Sequence, residues 1–134
     1  MEIVNKNEIM SKIKEGLFIQ PKIKFKSEVQ CYFVGDELLY TFEFIPSKYP
    51  DYPPPIKIDL SKENKKVVDE FIKRTNVKYG FQRLDFLRLE DDSLLLLEIE
   101  ATSPFMAIEM LDENLRNKVI DKYKQNIYNF LFKE

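Results

Sequence analysis

Two runs of this chain, QRLDFLRL at 82–89 and LLLLEIE at 94–100, flank the polar stretch Glu90, Asp91, Asp92 and Ser93. Apolar runs of this length bounded by turn residues predict a β-hairpin. A turn centred between Asp91 and Asp92 sets Asp85 opposite Glu98 and Arg83 opposite Glu100. All four then share one face. In the same register that face continues as Leu87, Leu89, Leu94 and Leu96, and the other carries Leu84, Phe86, Leu95, Leu97 and Ile99. Because most of both faces is apolar, the pattern fits a buried sheet with a polar mouth at one end. A watered outer face of an edge hairpin is the competing reading, since strand ends commonly carry charge.

The remaining periodicities lay out one α+β domain over residues 1–134. An amphipathic helix is predicted over 6–15, with Ile9, Met10 and Ile13 inward and Gly16 as its stop. A strand at 17–20 ends at Pro21. Runs at 28–34 and 38–45 turn through Gly35 and Asp36, which suits a hairpin with glycine in the first central position. That turn sets Phe33 opposite Leu38 and Cys31 opposite Tyr40. Val29, Cys31, Phe33, Leu38, Tyr40, Phe42 and Phe44 then form the core face, and Glu28, Gln30, Tyr32, Leu39, Thr41 and Glu43 a mixed one. Residues 46–55 hold five of the seven prolines and read as a stiff surface loop. Ser61 caps a helix through Thr75 whose inward stripe is Val67, Val68, Phe71 and Ile72. Ser103 and Pro104 open a short helix over 105–111. A final helix from Asp112 sets Leu115, Val119, Tyr123, Ile127 and Phe130 at helical spacing, as core or partner surface.

Composition narrows the chemistry. The chain has 134 residues, enough to bury a real core, and a net charge of -2 with 21 basic and 23 acidic residues well mixed. That balance gives no broad footprint for nucleic acid or an anionic membrane. No apolar stretch suits a bilayer span and the amino terminus lacks signal-peptide character, so a cytoplasmic location is expected. Cys31 is the only cysteine and histidine is absent, which excludes disulfides, His/Cys zinc sites and imidazole-dependent triads. Any metal would be held by oxygen. Opposed carboxylates about 5 Å apart on one face repel, so Asp85 and Glu98 call for a divalent cation between them.

The segments Arg83-Leu84-Asp85 and Glu98-Ile99-Glu100, followed by Ala101-Thr102-Ser103-Pro104, resemble the ATP-grasp superfamily, which includes D-alanine:D-alanine ligase and the glutathione synthetase-like ligases. Its members carry an R-x-D strand, then an E-x-N or E-x-E strand, and many continue into a loop ending in proline. The resemblance implies an α+β fold, a mainly antiparallel sheet with packed helices, like the carboxyl-terminal ATP-grasp subdomain. It also implies that Asp85, Glu98 and Glu100 hold Mg²⁺ or Mn²⁺ bridging ATP phosphates, and that Arg83 is the catalytic residue, stabilising an acyl-phosphate intermediate or its transition state. Glu100 stands where many members have asparagine, which makes the site more negative. Upstream, 17–21 resembles the hinge strand whose backbone meets adenine, giving Ile19 and Gln20 as cofactor-binding positions. Glu28 matches the ribose-binding position and Lys57 a phosphate-reaching lysine. Phe44-Ile45-Pro46 departs from relatives that place a lysine before this proline.

What precedes the hinge strand in such enzymes, including the glycine-rich lid, is not in this sequence. The resemblance therefore implies a Mg-ATP-binding part of a carboxylate–amine ligase-like activity whose other half is supplied by a protein partner or a homodimer, or is lost to truncation. A degenerate, non-catalytic ATP-grasp half serving as a binding or interaction module is the alternative.

Overall fold

The computed structural model describes residues 21–47, 51, 53–101 and 104–133. The helix expected at 6–15, the strand at 17–20 with Ile19 and Gln20, and the Ser103 cap lie outside the described residues.

Five strands form one antiparallel sheet. β1 (Ser27–Val34) and β2 (Glu37–Phe44) make the first hairpin, and β3 (Ile56–Lys57) follows the proline-rich loop. β4 (Phe81–Arg88) and β5 (Leu94–Glu100) make the second hairpin. Their order across the sheet is β3-β2-β1-β4-β5. β3, a two-residue pairing of Ile56 and Lys57 with Glu43 and Phe42, had no signal in the sequence pattern. The fold is α+β, as expected.

Each face of the sheet carries a helix, but the edge strand β5 stays open, with Leu95, Leu97 and Ile99 exposed, where the sequence pattern predicted a buried sheet. α1 (Lys62–Thr75) starts where Ser61 Oγ accepts a hydrogen bond from the Asn64 amide at 3.1 Å and stops at Asn76 in the left-handed region, φ 54. Its Val68 and Ile72 bury against Val29, Cys31, Phe33, Leu84 and Phe86. On the other face, α2 (Glu113–Phe132) is capped by Asp112, whose carboxylate accepts from the Leu115 amide at 2.9 Å. Val119 of α2, with Met106, Ala107 and Leu111 before it, closes over Tyr32, Tyr40 and Phe42. Each fully buried side chain of this size contributes about 1.5–3 kcal/mol, so the strands are fixed from both sides. Further along α2, Tyr123 stacks on Phe81 and Phe130 leans on Tyr79. Ile127 remains exposed.

Two one-residue irregularities correct the expected faces. In the first hairpin Phe33 does lie opposite Leu38, but the register then shifts, so Cys31 pairs with Thr41 and Tyr32 with Tyr40. Leu39 is the extra residue. Because side-chain direction has a period of two, the shift moves Tyr40, Phe42 and Phe44 to the face opposite Cys31. The "mixed" face is thus a second core, with Tyr32 and Tyr40 stacked at 4.6 Å.

In the second hairpin the loop is Glu90, Asp91 and Asp92, closed by Leu89 N–H to Ser93 O at 2.9 Å and Asp92 N–H to Leu89 O at 3.0 Å. Asp92 takes φ 67, the left-handed residue that such a three-residue loop requires. The turn is therefore centred on Asp91, and beside it Leu87 pairs with Leu95 and Phe86 with Leu96. Leu94 and Leu96 accordingly pack against the Leu84 and Phe86 core, not on the Asp85 face. A shift at Leu97 then restores the expected pairing at the far end, Asp85 with Glu98 and Arg83 with Glu100. The two offsets cancel.

The helix expected over 105–111 is also corrected. Only a single 3-10 turn, Ile108–Met110, forms, and Ala107 before it has φ 48. Phe105 O accepts from Arg83 and Met106 O accepts from the Tyr40 hydroxyl, so the carbonyls that would begin a helix are tied to the sheet.

Candidate functional site

Arg83 and Asp85, two apart on β4, point to the same face. Arg83 Nε donates to Asp85 Oδ1 at 2.7 Å and Nη2 to Asp85 Oδ2 at 2.9 Å, a bidentate pair. Nη2 also lies 3.0 Å from Glu100 Oε2 on β5, and Nη1 donates to Phe105 O at 3.1 Å. One guanidinium thus ties β4 to β5 and to the segment leading to α2. The pair is inside the protein, with Arg83 and Asp85 side chains 11% and 4% exposed. Burial alone would weaken the charge on Arg83, but the Asp85 and Glu100 carboxylates outweigh it and raise its affinity for the proton.

β1 adds a polar row beside this pair. Tyr32 OH donates to Gln30 Oε1 at 2.5 Å, and Gln30 Nε2 donates to Glu28 Oε1 at 2.7 Å. Tyr32 lies directly opposite Arg83 and Gln30 opposite Asp85. Burial pushes the Tyr32 phenol well above its usual range, with Arg83 opposing and the Asp85 and Glu28 carboxylates adding to the rise. Tyr32 is therefore a neutral donor at any ordinary pH. Sequence reasoning missed Gln30 and Tyr32. The signal was present in their alternation with Glu28, once β1 is set beside β4.

The structure gathers Arg83, Asp85, Glu100 and Glu28 on one face. Glu98 stands opposite Asp85 at the exposed edge strand. Lys57, opposite Phe42 on β3, is exposed and three strand spacings from β4, roughly 14 Å at ordinary strand separation.

The donor set is all oxygen and suits a hard divalent cation. Glu100 Oε2 is buried and makes no hydrogen bond of good geometry, although the Arg83 guanidinium sits within ion-pair distance. The remaining lone pair of this oxygen is free to ligate a cation beside the guanidinium. Against that, Arg83 occupies both Asp85 oxygens, and among the described residues no three acidic, cysteine or histidine side chains converge as a metal cage. Cys31 is the small buried hydrophobe the sequence implied. Burial, partly offset by the Thr41 hydroxyl, pushes its thiol up to about 12.

No family model matches the sequence, and no curated protein matches it. Solved structures do. D-alanine–D-alanine ligase from Bacillus anthracis, solved with ATP, superposes with a TM-score of 0.60 over 92% of this chain and 47% of its own, at 16% identity. A RiPP-associated ATP-grasp ligase from Chryseobacterium gregarium, solved with ADP and a leader and core peptide, gives 0.61 over 78% of this chain and 33% of its own, at 19% identity. D-cycloserine synthetase gives 0.53 over 78% of this chain and 38% of its own, at 14% identity. The chain spans between a third and a half of the length of these structures. Across that span its five-stranded sheet and two packed helices have the fold of the carboxyl-terminal part of an ATP-grasp ligase.

Proposed function

We propose that this chain binds Mg-ATP on the Arg83 face, as one part of a carboxylate–amine ligase-like ATP-grasp unit. The observation that supports it is the Arg83, Asp85 and Glu100 cluster on an ATP-grasp fold, with Glu100 Oε2 buried 3.0 Å from Arg83 Nη2. In this reading Asp85, Glu98 and Glu100 hold magnesium. The ion, when bound, neutralises phosphate charge and orients the terminal phosphate. Arg83 presents a permanent positive charge to a developing acyl phosphate, positioned by Asp85 and by Phe105 O. Glu28, held by Gln30 and through it by Tyr32, offers a carboxylate to the ribose hydroxyls, and Ile19 and Gln20 meet adenine. Lys57 reaches the phosphates only if the nucleotide lies across β1 and β2.

Phosphoryl transfer needs charge neutralisation from both sides of the nucleotide. The reading therefore includes a second half, from a further segment of the same protein, another protein or another copy. Calorimetry of ATP with magnesium should give a weak but measurable heat that requires the metal, and the chain alone should show no ATP turnover above background. Absence of heat and of competition at millimolar nucleotide would end this reading. Rapid hydrolysis by the chain alone, lost in Glu98→Gln, would refute the need for a second half.

A second reading, a non-catalytic ATP-grasp-like module that binds a partner, draws on the occupied Asp85 oxygens and the absence of a converged cage among the described residues. It predicts no metal-dependent heat at all.

A further inference from the structure

At the opposite edge of the sheet, β2 is an incomplete edge strand. β3 covers it only at Phe42 and Glu43, with one further bond from Ile58 N–H to Thr41 O at 3.0 Å. From Glu37 to Tyr40 the outer side of β2 carries no neighbouring strand among the described residues. Unpaired strand edges are usually blunted by a bulge or a charge, or are used. Here the edge lies at the bottom of a groove. Two adjoining hollows of about 260 and 290 Å³ share Leu38, Leu39 and Leu115 as an apolar floor. α1 contributes Lys65 to one wall and α2 contributes Lys118 and Lys122 to the other, while Lys57 stands at the β3 end. Four lysines thus line the groove against two acids, Glu37 and Asp59. The local charge is positive on a chain whose net charge is -2.

We propose that this groove docks an extended acidic peptide segment, which adds a strand along Leu38 and Leu39 with its apolar side chains on Leu39 and Leu115. The physical components are those of strand addition. Main-chain hydrogen bonds supply affinity and alternate side chains supply specificity. One side of the incoming strand meets Leu39 and Leu115 on the α2 wall, and its acidic residues, on the other side, meet Lys65 on the α1 wall, while Lys118 adds positive charge to the groove. The Leu39 bulge does not forbid this. It twists the edge locally and so favours a short segment over a long sheet-to-sheet contact. A second copy of this chain fits less well, because two positive grooves would face each other across the joint. The groove lies at the far edge of the sheet from Glu98 and Glu100, so the inference stands whether or not the Arg83 face binds nucleotide.

The test uses a short fluorescein-labelled peptide alternating valine and glutamate, followed by anisotropy. Two controls accompany it, the same peptide with lysine for glutamate and the same peptide N-methylated at every backbone amide. The acidic peptide should bind, weaken with added salt, and slow amide exchange at Leu38 to Tyr40. The basic and N-methylated peptides should not bind. Reversing two exposed charges, Lys65→Glu with Lys118→Glu, should weaken binding about tenfold, since each exposed charge contact is worth only a fraction of a kcal/mol to about one. Equal binding of acidic and basic peptides, or undiminished binding to the double variant, would overturn the proposal. So would binding of the N-methylated peptide, which cannot pair as a strand. A dimer in solution that itself protects the β2 edge would assign the groove to a second copy and overturn it as well.

Discussion

Replacing Arg83 by leucine should destabilise the protein by about 3 kcal/mol, near the lower end of the cost of breaking a buried ion pair. The size follows from what the guanidinium holds. Asp85 is 3% exposed and its two oxygens are bonded to Arg83 at 2.7 and 2.9 Å, so removal leaves a carboxylate with no counter-charge and no access to water. Glu100 adds a smaller cost, because its side chain is 37% exposed although Oε2 itself is buried. The Phe105 carbonyl loses a hydrogen bond worth about 1 kcal/mol. The double variant Arg83→Leu with Asp85→Leu removes the stranded charge and should recover most of the loss. Urea unfolding of the wild type, both single variants and the double variant gives the coupling energy. A coupling of at least ~2 kcal/mol with unchanged urea dependence is expected. The same series bears on the metal. In Arg83→Leu the Asp85 oxygens are free, so magnesium should stabilise this variant more than the wild type. A coupling near zero, or single and double variants of equal stability, would refute the claim that Arg83 and Asp85 act as a unit.

Gly35→Ala should cost about 1–3 kcal/mol, measured by the same unfolding experiment, because Gly35 has φ +60 and a Cβ would stand 2.5 Å from the Lys78 carbonyl oxygen. Alkaline pH should also unfold the protein early. Burial raises Cys31 from 9.0 to about 12 and raises Tyr32 and Tyr40 as well, so their contribution is intact below the unfolded values and is lost as pH climbs through the folded ones. Thermal melts from pH 8 to 12 should show a decline beginning near 9 that is shallower in Cys31→Ala.

Much of the site was legible because charge on a strand has so few places to go. Arg83 and Asp85 share a face by period alone, and the pairing of Asp85 with Glu98 and of Arg83 with Glu100 holds as expected. It holds through two opposite offsets, a turn centred on Asp91 and a shift at Leu97, neither of which leaves a mark in a run of leucines. The same blindness misassigned Leu94 and Leu96, and in the first hairpin Tyr40, Phe42 and Phe44. Residues 94–97 are leucine whichever way they face, and both faces of the first hairpin carry aromatic residues, so neither run has the alternation that would have revealed a slip. α1 and α2 were read from their caps, Ser61 and Asp112, where the chemistry is local. The 105–111 segment failed for the converse reason. Its backbone is bonded to Arg83 and Tyr40, residues far away in the chain.

The central claim is that the Arg83 face takes a metal with its nucleotide. Its most direct test is the melting temperature of wild type and Glu98→Gln, titrated with Mg-ATP and with ATP after chelation of all divalent ions. Glu98 is exposed at the sheet edge, so the variant should fold as the wild type does. The account predicts a rise in melting temperature for wild type with Mg-ATP, none with ATP alone, and little or none for the variant under either condition. An equal rise in both proteins, or none in either, would contradict it.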